Sequence, residues 1–377
     1  MTTQANLPRT DLQSFRDEAA AWLAGNVPAR WKEHRGALSE AEATELRREW
    51  DRRLFKGGFA GLSLPVEYGG RGLGLAEEVA FHELAASAHA PDGLARIGKI
   101  LTAPTLIAHG TDEQKQAYLP GILSGDSIWC QGFSEPEAGS DLANVRCSAR
   151  RVDGGYRVTG RKIWTSFAVH ADRCLLLART DENAPRHRNL TMFLLDMTQP
   201  GITISPIKQI SGASHFAEVQ FDDVFVAESD RVGDEGQGWR IAMTVLANER
   251  GSVEAATRYV EIRADMDLLL DCCGRDRGQD ALLAELDTRV DVIRWQVGKA
   301  VARRHDEAAY TQATSVLKVG WSELWQQITA LGAKSLCPHH RAHWRFQYLE
   351  IRSASIYSGT SEIQRNIISE RVLGLPR

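Results

Sequence analysis

What the sequence lacks narrows the classes of protein to which it can belong. No apolar run reaches membrane-spanning length, and the polar, then amphipathic N-terminus has no signal-peptide core, so we expect a cytoplasmic protein that does not bind membranes. The formal net charge is -4, from 45 basic and 49 acidic residues, so the chain lacks the excess of positive charge that is typical of proteins that bind nucleic acid. The six cysteines are scattered without a C-x-x-C pair, which favours reduced thiols.

One short segment raises the question of a metal site. It runs from Cys337 to His343 and combines one cysteine with three histidines. Zinc sites usually show two separated ligand pairs, whereas this segment is a single group with adjacent histidines. We therefore expect a solvated loop at this position and no metal.

Hydrophobic periodicity divides the chain into three domains. Residues 1–125 show helical spacing of apolar residues, residues 126–230 alternate, and residues 231–377 return to the helical period. Within the β part, turns are predicted at Asp153-Gly154-Gly155 and at Thr159-Gly160-Arg161. Four amphipathic runs in the last part are typical of a four-helix bundle; they are 240–270, 280–305, 308–332 and 344–373. The sequence predicts an α+β fold with an N-terminal helical domain, a middle antiparallel β domain and a C-terminal four-helix bundle.

The segment from Trp129 to Ser166 combines hydroxyl side chains with turn-forming residues. After an apolar strand, Pro136 and Gly139 break regular structure, and two serines place hydroxyls on the resulting loop. Such a loop can hydrogen-bond a flat heterocycle or the amides of a long ligand, and Trp164 is placed to stack on the same ring. From composition alone, the simpler interpretation of a β-hairpin with a core tryptophan is favoured.

Two motifs within this segment are more specific. They are Ser134-Glu135-Pro136-x-Ala138-Gly139-Ser140-Asp141 and Lys162-Ile163-Trp164-x-Ser166. In order and spacing they resemble the two flavin-facing motifs of the acyl-CoA dehydrogenase family. The resemblance implies that FAD is bound by a set comprising Gln131, Phe133, Ser134, Gly139, Ser140, Trp164, Thr165 and Ser166. The members expected at the isoalloxazine ring are Phe133, Ser134, Trp164 and Ser166. Ser140 is expected against the flavin phosphates or the pantetheine arm of a CoA thioester.

The reaction that this resemblance implies is α,β-dehydrogenation of an acyl thioester. It needs a hydride acceptor, which the flavin supplies, and a carboxylate base in a dry pocket. Many members carry that base just before a Gly-Thr-Ser tripeptide near the C-terminus, where this sequence has Ser358. A serine cannot serve as the base unaided, although its backbone N–H can still bind the thioester carbonyl.

The residues beside this serine are also expected to contact ligands. By resemblance, Tyr357 and Gly359 belong to the substrate site, whereas Thr360 and Glu362 lie near the adenosine half of FAD. The spacing Ser361-x-x-Gln364 predicts a capping box that opens a helix.

Glu249 is the candidate base. It falls on an apolar helical stripe, on the same face as Ala242 and Val245. A lone carboxylate on such a face must be paired, protonated or functional, and a salt bridge to an arginine of the bundle explains the helix pattern as well as catalysis does. Glu249-Arg250 also resembles isovaleryl-type and long-chain-type members, in which the base precedes a helix arginine. We therefore predict that Glu249 is the base, that Arg250 shapes its field, and that Ala247 and Arg250 border the substrate.

Two motifs of homotetrameric members are missing. In those members a neighbouring subunit clasps the FAD adenosine half with Arg-x-x-Phe-Gly and Gly-Gly-x-Gly segments. Here the corresponding places hold Cys272-Cys273-Gly274-Arg275 and Leu331-Gly332-Ala333-Lys334-Ser335. Either other residues hold the adenosine half, or a different polypeptide supplies the clasp. We expect an oligomer, homomeric or heteromeric, of the dimer-of-dimers type.

The leading hypothesis is an FAD-dependent dehydrogenase of lipid or steroid catabolism. Its substrate would be a branched or bulky acyl group on CoA or on an acyl-carrier protein, and its electrons would pass to an electron-transferring flavoprotein. Two alternatives remain open. One is a non-catalytic or half-site subunit of a hetero-oligomeric dehydrogenase, and the other is a flavin oxidase or monooxygenase on the same scaffold.

Overall fold

The computed structural model describes residues 11–34, 38–249, 251–273, 280–335 and 338–376. The described part of the N-terminal region is mainly helical, as the sequence predicts. Its helices are α1 (Leu12–Asn26), α2 (Ala29–His34), α3 (Glu40–Lys56), α4 (Leu75–Ser87), α5 (Ala103–His109) and α6 (Asp112–Ser124). Side chains of Asp11, Ser39 and Thr111 cap α1, α3 and α6, so these helices begin where their first free N–H groups find acceptors.

A buried carboxylate on α3 fixes the chain between α4 and α5. Asp51 accepts hydrogen bonds from the Ala95 N–H at 3.0 Å and from Lys99 Nζ at 2.8 Å. Gly93 passes so close that a Cβ there would lie 2.1 Å from Asp51 Oδ1. The segment 91–97 is thereby held against α3.

The middle region is an eight-stranded sheet. Its strands are β1 (Trp129–Gly132), β2 (Ser148–Val152), β3 (Gly155–Ser166), β4 (Arg173–Arg179), β5 (Leu190–Asp196), β6 (Ile202–Ile207), β7 (Phe216–Ala227) and β8 (Arg231–Val232). The order is β6-β7-β3-β2-β4-β5-β8, and β1 pairs with β4. The ladders are antiparallel except for the β1–β4 ladder and a single β2–β4 pair. One face packs on α5 and α7 residues, and the other encloses its own apolar cluster.

The two turns predicted in this sheet have different outcomes. Gly154 lies between β2 and β3 with a positive φ of 73°, which confirms the first turn. The turn predicted at Gly160 is wrong, because β3 continues through it with an irregular register against β7. A Cβ at Gly160 would lie 2.6 Å from the Cys147 Cα, so glycine is needed there for close strand packing.

The C-terminal region is again helical. Its helices are α7 (Gly238–Glu249), α8 (Ser252–Cys273), α9 (Asp280–Ala302), α10 (Glu307–Lys334), α11 (Arg341–Glu350) and α12 (Ser361–Ile367). The long helices α8, α9 and α10 pack around a common apolar core that includes Trp321 and Trp344. The succession of helical, β and helical parts confirms the predicted fold class.

One predicted helix is in fact two. The run 240–270 was expected to be continuous, but α7 ends at Glu249 and α8 starts at Ser252. The Gly251 N–H donates back to the Asn248 carbonyl at 3.1 Å, and a Cβ on Gly251 would lie 3.1 Å from the Tyr310 hydroxyl oxygen. This break places Glu249 at the end of a helix instead of on the flank of a long one.

The segment with three histidines is part of the bundle. His339 and His340 lie in a short 3₁₀ turn, and His343 Nε2 lies 2.8 Å from the buried Asp265 Oδ1. Cys337 lies outside the described residues. In the ranges that the structure describes, no group of three or more His, Cys, Asp or Glu side chains could hold a metal ion. Within the same ranges, no helix combines the length and apolar character needed to cross a membrane.

Candidate active site

A buried ion pair joins the two motifs of the β domain. Lys162 on β3 is fully buried, and its Nζ donates to Glu135 Oε1 at 2.8 Å and to the Phe133 carbonyl at 2.9 Å. Glu135 also accepts the backbone N–H groups of Arg146 at 2.6 Å and of Cys147 at 2.9 Å. Because every charge here meets a partner, the loop after β1 is locked onto β3.

The sequence analysis assigned no role to this pair. Lys162 lies on the buried face of β3 together with Val158 and Tyr156. The sequence did contain a signal for this pair. Lys162 alternates in phase with the buried residues of β3, and the other flavin-facing motif contains Glu135. A buried lysine requires an acid or several acceptors, so its position alone pointed to a partner.

Trp164 faces outward, which corrects the simple interpretation of a core tryptophan. Its side chain is 54% exposed, and its backbone has a φ of 60°. The β3–β7 register shifts between Lys162 and Thr165, and this bulge turns the ring out, where it meets Phe216 edge-to-face at 6.1 Å. The Ile163 N–H donates to the Ser134 carbonyl at 2.9 Å, so the structure brings the ring and the loop together.

The remaining predicted cofactor residues of the β domain differ in exposure. Gln131, Ser134 and Ser166 are half-buried, and Gly139 and Ser140 are exposed on the loop. Two members of the set, Phe133 and Thr165, have buried side chains. Within the described part of the chain the buried Thr165 hydroxyl has no hydrogen-bond partner.

Glu249 and Ser358 are in direct contact. The Ser358 hydroxyl donates to Glu249 Oε1 at 2.6 Å, across 109 positions of sequence. Both side chains are half-buried. Ser358 has a φ of 55° and Gly359 a φ of 85°, and the buried Gln364 side chain donates to the Ser358 carbonyl at 3.0 Å. The structure therefore unites the candidate base with the position where many relatives of this pattern carry theirs.

Other predicted substrate residues surround this contact. Ala247 is half-buried on α7. Tyr357 is also half-buried, and its ring lies 6.3 Å from the Trp321 ring and 5.5 Å from Lys318 Nζ. Burial raises the pKa of Tyr357 to about 12, so its hydroxyl stays protonated at neutral pH. Arg250 lies outside the described residues.

The start of α12 differs by one residue from the prediction. Thr360, not Ser361, is the cap, and its Oγ1 accepts the Ile363 N–H at 3.2 Å. The predicted capping box at Ser361 is wrong because the left-handed Gly359 starts the helical turn one residue earlier. Glu362 is exposed in the first turn. Thr360 and Glu362 line an open groove of about 610 Å³, whose other polar lining residues are Glu323, Gln326, Gln327, Arg352, Ser355, Ser361 and Arg365.

Of the two places where a clasp was sought, the second is helical in the described structure. Gly274 and Arg275 lie outside the described residues. Gly332 is inside α10, where a Cβ would lie 2.2 Å from the Trp344 ring, so this glycine serves close helix packing. Ser335 ends α10, with its N–H and hydroxyl directed at the Gly332 carbonyl.

The chain is similar to known acyl-CoA dehydrogenases along nearly its whole length. The chain matches three family descriptions: "Acyl-CoA dehydrogenase, N-terminal domain" over residues 9–126, "Acyl-CoA dehydrogenase, middle domain" over 130–224, and "Acyl-CoA dehydrogenase, C-terminal domain" over 236–373. The curated protein acyl-CoA dehydrogenase IpdE1 of Mycolicibacterium smegmatis is 37% identical over 391 residues, covering 97% of this chain and 98% of its own. The predicted domain limits at 125 and 230 stay predictions.

Two solved structures resemble the chain over its full length. A chain of the ChsE4-ChsE5 complex from Mycobacterium tuberculosis is 27% identical with a TM-score of 0.82, and the match covers 100% of both chains. The structure named Tcur3481-Tcur3483 steroid ACAD is 25% identical with a TM-score of 0.78, and the match covers 98% of this chain and 100% of that one.

Proposed function

The chain belongs to the acyl-CoA dehydrogenase family, and from this premise we propose that it binds FAD and dehydrogenates a bulky acyl-CoA with Glu249 as the base. The family consists of oxidoreductases that are flavin-dependent in general. The observation that carries the proposal for this chain is the 2.6 Å hydrogen bond between Ser358 and Glu249. It puts a carboxylate beside the loop that would bind the thioester.

The residues of the β domain fit a flavin. An aromatic ring that is 54% exposed, held outward by a strand bulge, offers a stacking surface for a flat heterocycle. The half-buried Ser134 and Ser166 are proposed to bind the polar edge of the ring, and the exposed Ser140 is proposed to contact the phosphates or the pantetheine arm. When bound, the flavin supplies the hydride acceptor that no amino-acid side chain provides. Trp164 would orient the ring, and Lys162 with Glu135 would keep the loop in place.

Glu249 would remove the α-proton of the substrate. The Ser358 hydroxyl donates to Glu249 Oε1, and the Glu249 carboxylate would accept the proton as the general base. Among the residues described, the Ser358 N–H has no hydrogen-bond acceptor, so it is free to bind the thioester carbonyl. A donor fixed there stabilises negative charge that develops on the carbonyl oxygen as the proton leaves. Arg250 is proposed to shape the field at this carboxylate.

Glu249→Gln tests this assignment. The variant keeps the size of the side chain and removes the base, so the rate at which an acyl-CoA bleaches the flavin absorbance should fall by about 10²–10⁴-fold, with flavin content unchanged. Glu285→Gln, at an exposed site on α9, is the matched control and should behave as the unmodified protein. A bleaching rate within a few-fold of the unmodified enzyme would mean that the base is another group.

A bulky acyl group is proposed because the usual glutamate position holds a small serine, which leaves room beside the reacting carbons. One structural relative is named as a steroid enzyme, and polycyclic acyl groups belong to the same size class. The enzyme should bleach faster with branched or polycyclic acyl-CoA thioesters than with octanoyl-CoA. Equal or faster bleaching by octanoyl-CoA would contradict this part of the proposal.

A second polypeptide is proposed to complete the adenosine side of the FAD site. The groove lined by Thr360 and Glu362 is open, and two structural relatives carry names that pair two components. The visible spectrum of the chain purified alone separates the possibilities. Full flavin bands would mean that copies of this chain suffice, whereas colourless protein that gains flavin on co-expression with a partner would support a hetero-oligomer.

An electron-transferring flavoprotein is proposed as the acceptor, because the family's dehydrogenation leaves a reduced flavin that must be reoxidised. Stopped-flow mixing of substrate-reduced enzyme with such a carrier should reoxidise the flavin much faster than air does. Rapid release of hydrogen peroxide in air, without any carrier, would instead favour an oxidase.

A further inference from the structure

A buried lysine of the C-terminal bundle contacts the chain segment that leads to Ser358. Lys318 lies in the middle part of α10, and only 2% of its surface is exposed. Its Nζ donates to the Ala354 carbonyl at 2.5 Å and lies 5.5 Å from the centre of the Tyr357 ring. The reaction proposed above assigns no role to this cation.

Packing alone does not explain why a lysine stands at this position. Burial of an ammonium group is costly unless new contacts replace those with water. The contacts of Lys318 include the Ala354 carbonyl and two aromatic rings, since Trp321 lies 5.7 Å from Nζ in addition to Tyr357. A methionine would fill the same space without the cost of burying a charge, so the contacts of the cation itself need an explanation.

The segment above this cation runs into a backbone conformation that needs support. After the 3₁₀ turn Ile351–Ser355, the Tyr357 N–H donates to the Ser353 carbonyl at 3.0 Å. The next two residues, Ser358 and Gly359, have φ angles of 55° and 85°. Glycine adopts such angles freely, whereas a serine keeps them only where its surroundings fix them. The orientation of the Ser358 N–H therefore depends on the groups that hold the chain around it.

Side chains from two helices hold the chain on either side of Ser358. On the far side, the fully buried Gln364 of α12 donates to the Ser358 carbonyl at 3.0 Å. On the near side, Lys318 contacts the Ala354 carbonyl and the Tyr357 ring. Because the Ser358 N–H belongs to the peptide group that joins it to Tyr357, a shift of Tyr357 changes the direction of this N–H.

A second residue of α10 holds the same turn farther from Ser358. Gln326, about two helical turns beyond Lys318, donates to the Ile351 carbonyl at 3.0 Å and to the Ser355 hydroxyl at 2.9 Å. The 3₁₀ turn is thereby fixed to α10 at both of its ends. Lys318 differs from Gln326 in that it also contacts the residue adjoining Ser358, so its loss should have the larger effect there.

We propose that Lys318 is a positioning residue that holds the Ser358 N–H toward the thioester carbonyl. It does so through the Ala354 carbonyl and the Tyr357 ring. The inference rests on the proposed dehydrogenase function, since it takes the thioester to lie at Ser358. Because the Ser358 hydroxyl donates to Glu249 Oε1 at 2.6 Å, the same displacement of the loop would also disturb the base.

Lys318→Met tests this role, because it keeps the length of the side chain and removes the cation. The rate constant at which saturating cyclohexylacetyl-CoA bleaches the flavin, expressed per bound flavin, should fall by about 10²-fold, the size of effect expected when one such donor is misplaced. The dissociation constant of the thioester should change by about threefold or less, because the donor acts mainly on charge that develops in the transition state. Lys299→Met, at an exposed site on α9, is the matched control and should behave as the unmodified protein.

Infrared spectroscopy of the bound thioester distinguishes positioning from a general loss of structure. In the Glu249→Gln holoenzyme, the stretching band of a thioester carrying an isotope label at its carbonyl carbon should move to lower frequency on binding, because a hydrogen bond weakens that C=O bond. Adding Lys318→Met should remove most of this shift. A lysine that only stabilised the fold would affect the melting temperature and the flavin content and leave the band of the bound thioester unchanged.

A second variant covers the case in which Lys318→Met yields no flavin-bound protein. Lys318→Gln keeps a polar group in the interior, and the same changes in rate and in carbonyl band are expected for it. An unchanged rate constant together with an unchanged carbonyl band would overturn the inference. Equal losses in Lys299→Met would overturn it as well.

The positioning inference and the dehydrogenase proposal fail in different ways. If the thioester bleaches the flavin, and Lys318→Met alters neither the rate nor the band, the inference fails and the dehydrogenase proposal stands. If no thioester bleaches the flavin but the carbonyl band still depends on Lys318, the dehydrogenase proposal fails and the inference stands. A carbonyl band that does not shift on binding to any variant would overturn the inference and the role proposed for the Ser358 N–H.

Discussion

The two groups of interior charges in this protein differ in how completely they are satisfied. In the β domain, Lys162 and Glu135 are almost inaccessible to water, and together they meet a carbonyl and two backbone N–H groups. A second group, which we call the distal polar cluster, consists of His82, Asp92, Arg96, Glu254, Arg258, Glu261 and Tyr357. Its ion pairs remain partly accessible to water, and Asp92 is exposed. A network in which every charge is buried and paired is costly to break, whereas ion pairs that water still reaches contribute less to stability.

Breaking the network of Lys162 and Glu135 should have the largest effect. Lys162→Met leaves the Glu135 charge buried without its counter-ion, which should lower the free energy of unfolding by about 3–5 kcal/mol and release the flavin. Urea unfolding and the visible spectrum measure both. Arg161→Met, one residue away on the exposed side, removes only a surface ion pair with Glu218 and should cost about 0–1 kcal/mol. Equal losses in the two variants would contradict the distinction drawn between the two networks.

The distal polar cluster should make the stability of the protein depend on pH, with a smaller effect than that of Lys162→Met. Burial, followed by the charge of Arg96, lowers the pKa of His82 to about 4 from 6.5, against the opposite pull of Asp92 and Glu254. The unfolded chain therefore binds a proton more readily than the folded chain, and stability should fall as pH decreases from 6.5 to 4. Allowing for partial solvent access, the loss should be about 2 kcal/mol.

Urea midpoints between pH 7 and pH 4 measure this loss, and His82→Phe should make the decline shallower. A neighbouring charge that also faces His82 is Lys99, whose Nζ lies 2.8 Å from Asp51 Oδ1. An unchanged slope in the His82→Phe variant would assign the acid sensitivity to other groups.

Substitution of Trp164, the proposed stacking surface, should have the smallest effect on stability and a large effect on flavin retention. Glycine adopts the φ of 60° found at Trp164 without strain, so Trp164→Gly relieves backbone strain that offsets the lost side-chain contacts. The free energy of unfolding of the flavin-free protein should therefore change by about 1 kcal/mol or less. Flavin retained after gel filtration should nevertheless drop severely. Trp295→Ala, on another exposed tryptophan in α9, should retain flavin fully. Full flavin retention in Trp164→Gly would remove this residue from the cofactor site.

Regular structure was predictable from the sequence wherever a local signal was strong. The helical period at the two ends of the chain and the alternation between them predicted the type of regular structure in each part. Glycines were harder to interpret, because the same residue ends a helix at Gly251, continues a strand at Gly160 and seats a helix against Trp344 at Gly332. Only the neighbour that each glycine approaches distinguishes these uses, and that neighbour is distant in sequence.

The candidate site was predictable only in part. The two β-domain motifs carried enough pattern to be assigned together, and the resemblance also paired Glu249 with the loop at Ser358. The outward turn of Trp164 depends on a register shift against β7, which no local pattern encodes. The distal polar cluster combines α4, the segment 91–97, α8 and Tyr357, so its members look like ordinary surface charges until the chain is folded.

The hold of Asp51 on the segment 91–97 has a consequence for protein engineering. Asp92 and Arg96 sit on that segment, and its position is fixed by a carboxylate on another helix and by the absence of a side chain at Gly93. Transplanting the segment from another protein would therefore not by itself reproduce its position. A donor sequence with any side chain at position 93 would collide with Asp51 on α3, so the helix and the segment would have to be exchanged together.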